Sequence, residues 1–309
     1  MNGGELRNLL LAAAGLGVAA LLPLGDSGYF LSLGVNIAMY TVLATSWAMF
    51  SGPTHLISLA TAAFYGLGTY VVAVGIEQLA LPVLLLIALV AGAVAAGLVG
   101  LATLRLSGVY FVIFTLGLAE MIRQIVTWTQ NNWGGHRGLY VLTELSEQHI
   151  YWQLIALAAA VYLAGWWINR SRLGFALRII GNDELVAAHC GINTARSKVL
   201  LFMISGGVAA LVGGMMAPRW TYIEPAIAFS PMLSFQVVIM ALLGGTNRLW
   251  GPLVGVVPFT LLWEVISGEF PNQTTLLLGV AFLLIVYVIP HGVVGRIEAA
   301  VRAVGSARA

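Results

Sequence analysis

Arg170-Ser-Arg-Leu-Gly-Phe-Ala-Leu-Arg178-Ile-Ile-Gly181-Asn-Asp-Glu184-Leu-Val-Ala-Ala-His-Cys-Gly191-Ile-Asn-Thr-Ala-Arg196-Ser-Lys198 is a polar island between two long apolar runs, Tyr151–Ile168 and Val199–Pro218. Arg170, Arg172, Arg178, Arg196 and Lys198 are five of the chain's 14 basic residues. Gly181 interrupts the segment, and Asn182 is then placed to cap a short helix. Asp183 and Glu184 would occupy the first turn of that helix, where the helix dipole favours negative charge. Gly191 suits the left-handed residue that ends it. The island therefore reads as two short helices at the cytoplasmic surface. A bare connector would need only a few residues, so a structured island of this length suits the docking of a partner.

Outward from the island the chain is apolar. It is 60% hydrophobic and 8% charged, with a mean hydropathy of +0.95, where soluble domains carry roughly 25% charged residues. The expected class is an all-α integral membrane protein. A net charge of +2 is too small to suggest nucleic acid, and its distribution matters more than its sum. Cys190 is the single cysteine, so an internal disulfide is excluded. His55, His136, His149, His189 and His291 are scattered without metal-ligand spacing.

The apolar runs are Leu9–Leu24, Phe30–Phe50, Leu56–Ile76, Leu81–Leu104, Val109–Trp128, Tyr151–Ile168, Val199–Pro218, Pro231–Gly245, Trp250–Ser267 and Thr274–Pro290. Each approaches the ~20 residues that a spanning helix needs, the eighth being short. Leu9–Leu24 follows Arg7 in the manner of a signal peptide but lacks a small-x-small cleavage site before Asp26, and it is read as a retained first span. With the N-terminus inside and ten crossings, Arg7, Arg105, Arg170, Arg172, Arg178, Arg196, Lys198, Arg248, Arg296, Arg302 and Arg308 face the cytoplasm, and Arg123, Arg137 and Arg219 fall on or near the outer side. The positive-inside rule predicts that asymmetry. The expectation is one membrane domain, residues 1–309, with about ten transmembrane helices, both termini cytoplasmic, and a coupling loop at 170–198.

Small residues spaced by four recur within the runs: Gly92, Ala96 and Gly100; Ala210 and Gly214; Gly251 and Gly255. They let helix backbones approach closely. No GxxxxGK[ST] phosphate loop occurs, so ATP is not bound in that manner here, and no nucleophile–base constellation stands out. Ser51-Gly52-Pro53-Thr54-His55, followed by Ser58 and Thr61, reads either as an ordinary turn or as the kind of helix break that lines transport pathways. Glu120 and Arg123 sit three apart within the fifth run and can pair on one helix face. Either Arg123 snorkels to the outer surface or the pair faces a water-filled path between helices.

Four segments carry a family resemblance. Leu104-Arg-Leu-Ser-Gly-Val-Tyr-Phe-Val-Ile-Phe-Thr-Leu-Gly-Leu-Ala-Glu-Met-Ile-Arg123, Arg170–Asn193 and Leu243-Gly-Gly-Thr-Asn-Arg-Leu-Trp-Gly-Pro252 resemble, in that order, segments of the LivM-type permease subunits of branched-chain amino acid ABC importers. Ser58-Leu-Ala-Thr-Ala-Ala-Phe64-Tyr-Gly-Leu-Gly-Thr-Tyr70 is similar to their early Ser-Leu-Gly-His-Ala-Ala-Phe motif. The likeness spans most of Phe30–Pro290. Three departures stand out: Gly52-Pro53 with Thr54-His55 inserted where the family has Gly-Gln, Ala60-Thr61 for its Gly-His, and Asn247-Arg248 for its Gly-Ser. Glu184-x-x-Ala187-Ala188-x-x-Gly191 is similar to the Glu-Ala-Ala loop of ABC importers, with two residues inserted after Glu.

The resemblance implies a non-catalytic permease working with two ATP-binding subunits, a second, LivH-type permease and an extracytoplasmic solute-binding protein, in the bacterial inner membrane. ATP and magnesium would sit in the partner subunits, with no cofactor in this chain. Arg172, Gly174, Arg178, Asp183, Glu184, Ala187, Ala188 and Gly191 would make the contact with the ATPase, and Ser58, Thr61, Phe64, Glu120 and Arg123 would line the path. Within the family, urea or a short amide is the alternative solute to a branched-chain amino acid. Outside it, a proton- or sodium-coupled carrier would need a buried carboxylate such as Glu120, and a membrane enzyme would need a catalytic constellation that the sequence does not offer.

Overall fold

The computed structural model describes residues 28–103, 108–134, 138–141, 143, 145–246 and 248–288. The expected first span Leu9–Leu24, Arg105, Arg137, Asn247 and the tail beyond Pro290 lie outside them. Helices dominate: α1 (Tyr29–Thr54), α2 (Thr61–Gly75), α3 (Leu81–Thr103), α4 (Val109–Thr129), α5 (Glu147–Arg170), α6 (Arg172–Asn182), α7 (Glu184–His189), α8 (Thr194–Met216), α9 (Pro225–Ala228), α10 (Pro231–Gly244), α11 (Gly251–Glu269) and α12 (Thr274–Val288). A two-residue ribbon pairs β1 (Leu139–Tyr140) antiparallel with β2 (Tyr222–Ile223).

Nine of the ten expected runs thus contain helices. Among the described residues seven segments are long and apolar enough to cross a bilayer, and Thr61–Gly75 and Pro271–Leu284 are shorter apolar helices. The expected count of ten is therefore met only in part. The third run is corrected at its start: residues 55–60 are not helical, and α2 begins at Thr61. The eighth run is extended at its start: α10 fills it, and the short α9 precedes it across Phe229 and Ser230.

α1 forms the centre, with 72% of its most apolar stretch buried. α3 and α8 pack along their small residues. A Cβ on Gly92 would meet the Ala210 side chain and lie 2.8 Å from the Gly206 carbonyl, and one on Gly206 would meet Ala96. α2 fits between them, and Thr69 Oγ1 donates to the Gly213 carbonyl of α8 at 3.1 Å. Near contact of backbones gives dispersion and interhelical hydrogen bonds where lipid offers no hydrophobic drive. The outer surface is aliphatic. On α3, Val83, Leu86, Ile87, Val90, Val94, Leu98 and Leu101 are all exposed, a continuous apolar face that a water-soluble monomer would not carry.

The end of the bundle opposite the island is clasped by Arg219, which follows α8. Its guanidinium donates from Nη2 to Ser32 Oγ at 2.6 Å, from Nη1 to Asn36 Oδ1 at 2.8 Å, and from Nε to Glu147 Oε1 at 3.1 Å. One side chain therefore ties the first two turns of α1 and the first turn of α5 to the end of α8.

Candidate functional site

The island folds as two short helices, with the caps shifted from their expected places. Gly181 does not interrupt the chain; it lies inside α6, and Asn182 ends that helix. Asp183 is the cap of α7, its Oδ1 accepting from the amides of Leu185 at 2.8 Å and Val186 at 3.2 Å. Asn and Asp cap about equally well, so residue type could not separate two adjacent candidates. Gly191 ends α7 as expected, at φ 78°. The amide of Gly191 donates to the Ala188 carbonyl and that of Ile192 to the Ala187 carbonyl, the paired bonds of a Schellman motif.

α6 buries Gly174, Leu177 and Ile180 on one side. Gly174 is where it turns back on α5, since a Cβ there would sit 2.8 Å from Asn169 Cα. The Ser171 hydroxyl caps the turn by accepting from the Gly174 amide at 3.3 Å. Arg172 and Arg178 are exposed; Arg178 Nη2 reaches the Asn169 carbonyl at 3.2 Å. On α7 the two alanines part company. Ala187 is 0% exposed and Ala188 is open. Ala187 is consequently a packing residue of this chain and not part of a shared outward face, which corrects the expectation that both reach a partner. The exposed apolar groups are Phe175, Leu185 and Val186, none of which stood out from the sequence pattern.

Glu184 links the island to the bundle. Its Oε2 accepts from Lys198 Nζ at 2.6 Å. Lys198 lies in the second turn of α8 and is only 6% exposed. A buried ammonium needs a partner, so α7 cannot move away from α8 without stranding it.

Three sequence segments converge beneath the island. His55, the one described non-glycine residue with positive φ (54°), donates through Nε2 to the Gly181 carbonyl of α6 at 3.0 Å. Against an oxygen, the ring nitrogen carries the proton. A Cβ on Gly52 would lie 2.8 Å from the Thr246 carbonyl, and one on Gly165 would meet Leu249. The early break, the island and the late glycine-rich turn therefore touch. They border a cavity of about 1000 Å³ whose walls include Thr45, Met49, Tyr162, Trp166, Arg178 and Arg248. Among its described lining residues there is no carboxylate.

Ser58, Thr61 and Phe64, expected along a path, are packed inside at 3%, 7% and 3% exposure. Between the backbone bonds that His55 makes to α1 and Ala60 makes to α2, side chains answer the backbone of this segment. Ser51 Oγ donates to the Leu56 carbonyl at 2.7 Å, and the indole of Trp47 donates to the Ser58 carbonyl at 2.8 Å. The Leu59 amide donates to Thr115 Oγ1 at 3.0 Å and that of Ala60 to Ser58 Oγ at 3.2 Å. Ser234 Oγ serves twice, accepting from the Ala62 amide at 2.9 Å and donating to the Leu59 carbonyl at 2.8 Å. Irregular backbone at membrane depth survives only with such partners. Trp47, Thr115 and Ser234 were not found from sequence; the last two lie 56 and 172 residues from the amides they accept from.

Glu120 and Arg123 do pair: Arg123 Nε donates to Glu120 Oε2 at 2.9 Å, its Nη2 bonds Oε1, and Gln124 Nε2 donates to Oε1 at 2.9 Å. Their side chains remain 42% and 30% exposed respectively. The pair thus faces out of the chain and not into a path enclosed by it.

A bundle with seven helices long and apolar enough to cross a bilayer, broken segments and a capped, lysine-anchored island at one end is that of a membrane protein. The family model for the branched-chain amino acid transport system / permease component matches residues 29–289, and the chain belongs to that family. It is 24% identical to the high-affinity branched-chain amino acid transport system permease protein LivM of Salmonella typhimurium, over 94% of this chain and 76% of the relative. The corresponding protein BraD of Pseudomonas aeruginosa is also 24% identical, over 84% of this chain and 92% of the relative. The permease protein LivH of Escherichia coli is 28% identical over 53% of this chain and 52% of its own length. No solved structure matches the chain.

Proposed function

We propose that the chain is one of two permeases in an ATP-driven importer that brings branched-chain amino acids into the bacterial cytoplasm. The observation that carries the reading is the island: α6 and α7 present Phe175, Leu185, Val186 and Ala188 at one end of a membrane bundle, and Glu184–Lys198 ties that surface to the long helix α8. Exposed apolar groups on a charged, structured loop suit a protein partner. The partners are two ATP-binding subunits below, the second permease beside, and a solute-binding protein at the opposite end. Arg172, Arg178 and Asp183 frame the ATPase contact, and Gly174 and Gly191 set its turns.

In operation, closure of the ATPases pushes on α7. The push passes through Glu184 to Lys198 and α8, and through Gly181 to His55 and the break at 55–60. The cavity under α6 gives the island room to shift. Ser58, Thr61 and Phe64 act at the junction that opens, since two broken helices, α2 and α10, meet there through Ser234. A change of access of this kind is a population shift between two packings. A coupled carrier is less well supported, because Glu120 is paired with Arg123 and points outward.

The test is reconstitution of the chain with the permease, ATPases and binding protein encoded beside it. Leucine-stimulated ATP hydrolysis and uptake that require all of the components are expected. Uptake by this chain alone, driven by a proton or sodium gradient, would overturn the reading, and stimulation by urea in place of leucine would reassign the solute.

A further inference from the structure

Helix α4 carries a feature that the fold does not use. It is 21 residues long, or about 31 Å at 1.5 Å per residue, close to the ~30 Å hydrocarbon thickness. Glu120 is its twelfth residue and so lies at the middle of the span, beyond the reach of a short carboxylate to either interface. A charged side chain at the centre of a spanning helix costs ~2.5 kcal/mol or more in lipid. Pairing with Arg123 and Gln124 offsets part of that, yet both of these partners stand on α4 itself and the carboxylate stays 42% exposed. Arg219 and Ser234, by contrast, find partners beyond their own helices.

α4 is also the least buried of the seven long helices, with 22% of its apolar stretch covered. Its exposed face runs through Tyr110, Phe114, Gly117, Met121 and Gln124, alternating steps of four and three, the seam of a helix packed lengthwise on another. At Gly117 an added Cβ would find nothing within 4 Å, leaving room for a close backbone approach of the kind that joins helices in membranes. The exposed face of α3 is the internal contrast: Val83, Leu86, Val90, Val94, Leu98 and Leu101 are purely aliphatic, as a lipid-facing surface should be.

We infer that the α4 face holding Glu120, Arg123, Gln124 and Gly117 is where the second permease of the same family docks within the bilayer. The inference rests on the reading of the chain as one of two importer permeases. A related but different chain is the occupant favoured, because distinct permease proteins of this kind occur together in Escherichia coli: both LivM and LivH of that organism are similar to this chain. The second chain would contribute polar groups against the Glu120 carboxylate and close the seam at Gly117.

The experiment places the photo-crosslinking residue p-benzoylphenylalanine at Met121 of α4 and, separately, at Leu98 of α3, in the complete complex expressed with its genomic neighbours. Adducts are identified by mass. The Met121 probe should capture the second permease, and the Leu98 probe only lipid. Met121 adducts that are exclusively lipid, an ATPase or another copy of this chain, or no adduct at all, would overturn the inference. A second variant, Gly117→Leu, should lose the second permease from the purified complex while the isolated chain keeps its thermal midpoint in detergent; full retention of that permease would count against the seam. Recovery of the unmodified complex with its ATPases is the separate check on function. If the complex forms and the crosslinks fall elsewhere, the α4 face alone is wrong. If no complex forms, the importer reading fails as well.

Discussion

Arg219 and Arg123 are both arginines in apolar surroundings, and they are satisfied in opposite ways. Arg219 spends its guanidinium on Ser32, Asn36 and Glu147, three residues from two other helices. Among the described residues the Arg123 side chain bonds within its own helix, to Glu120 three residues away. A polar group answered across helices holds a fold together, since its partners are useless until the helices are assembled. One answered on its own helix tolerates membrane insertion before assembly and stays available to something outside the chain. The same distinction separates the neighbours Ala187, packed inward, and Ala188, open.

Inward groups should therefore control the stability of the isolated chain. Arg219→Ala leaves Glu147 and two neutral partners without their donor at a largely buried site. The expected loss is about 2–3 kcal/mol, read as a lowered thermal midpoint in detergent. Ser234→Ala comes next. It strands the Leu59 carbonyl and the Ala62 amide inside the bundle, where each orphaned group costs ~1–3 kcal/mol; unchanged stability would mean that water replaces the hydroxyl. Ala187→Trp forces a large ring into a site with no exposure and should cost ~1–3 kcal/mol by overpacking.

Nine of the ten apolar runs were legible as helices because length and hydropathy mark them, and Gly92, Ala96, Ala210 and Gly214 marked close helix approach by their spacing without saying which helices meet. The broken entry to α2 was legible only as a suspicion. Gly52-Pro53 signals a break, but what makes extended backbone at 55–60 tolerable is Thr115 and Ser234, 56 and 172 residues away from their partners. Nothing local marks such a match. The island's existence could be read from charge, but its inward and outward sides could not, because a helix as short as α7 has too few turns for periodicity to say which alanine faces the bundle. Arg219 was classed by sign and side, which treats a clasp as a surface charge.

Outward groups should leave the isolated chain nearly untouched. Replacing Glu120 and Arg123 together by Gln removes a pair formed on one exposed helix face, a contribution of about 0.5 kcal/mol or less. The thermal midpoint of the isolated chain should stay, and a drop like that of Arg219→Ala would show that the pair serves the fold after all.

The smallest effect on stability belongs to Ala188→Trp. The side chain points away from the bundle, so the substitution adds surface to an exposed position and should change stability by less than ~0.5 kcal/mol. Its consequence lies in coupling. α7 is a two-turn helix held by the Asp183 cap, the Gly191 turn and the Glu184–Lys198 bond, and it has no freedom to rotate an indole out of a docking groove. Leucine-stimulated ATP hydrolysis should be lost and ATPase association weakened, while the amount of folded permease is unchanged. Glu184→Ala should act more mildly on the same readout, because Ala188 and the exposed Leu185 and Val186 remain in place while the bond that carries their displacement to α8 is cut. Two results locate the contact elsewhere: full coupling by the Trp variant moves it to Arg172–Ile180 on α6, with exposed Phe175 the first residue to replace, and equal damage from Ala187→Trp and Ala188→Trp on the isolated chain removes the distinction between inward and outward faces on which the assignment stands.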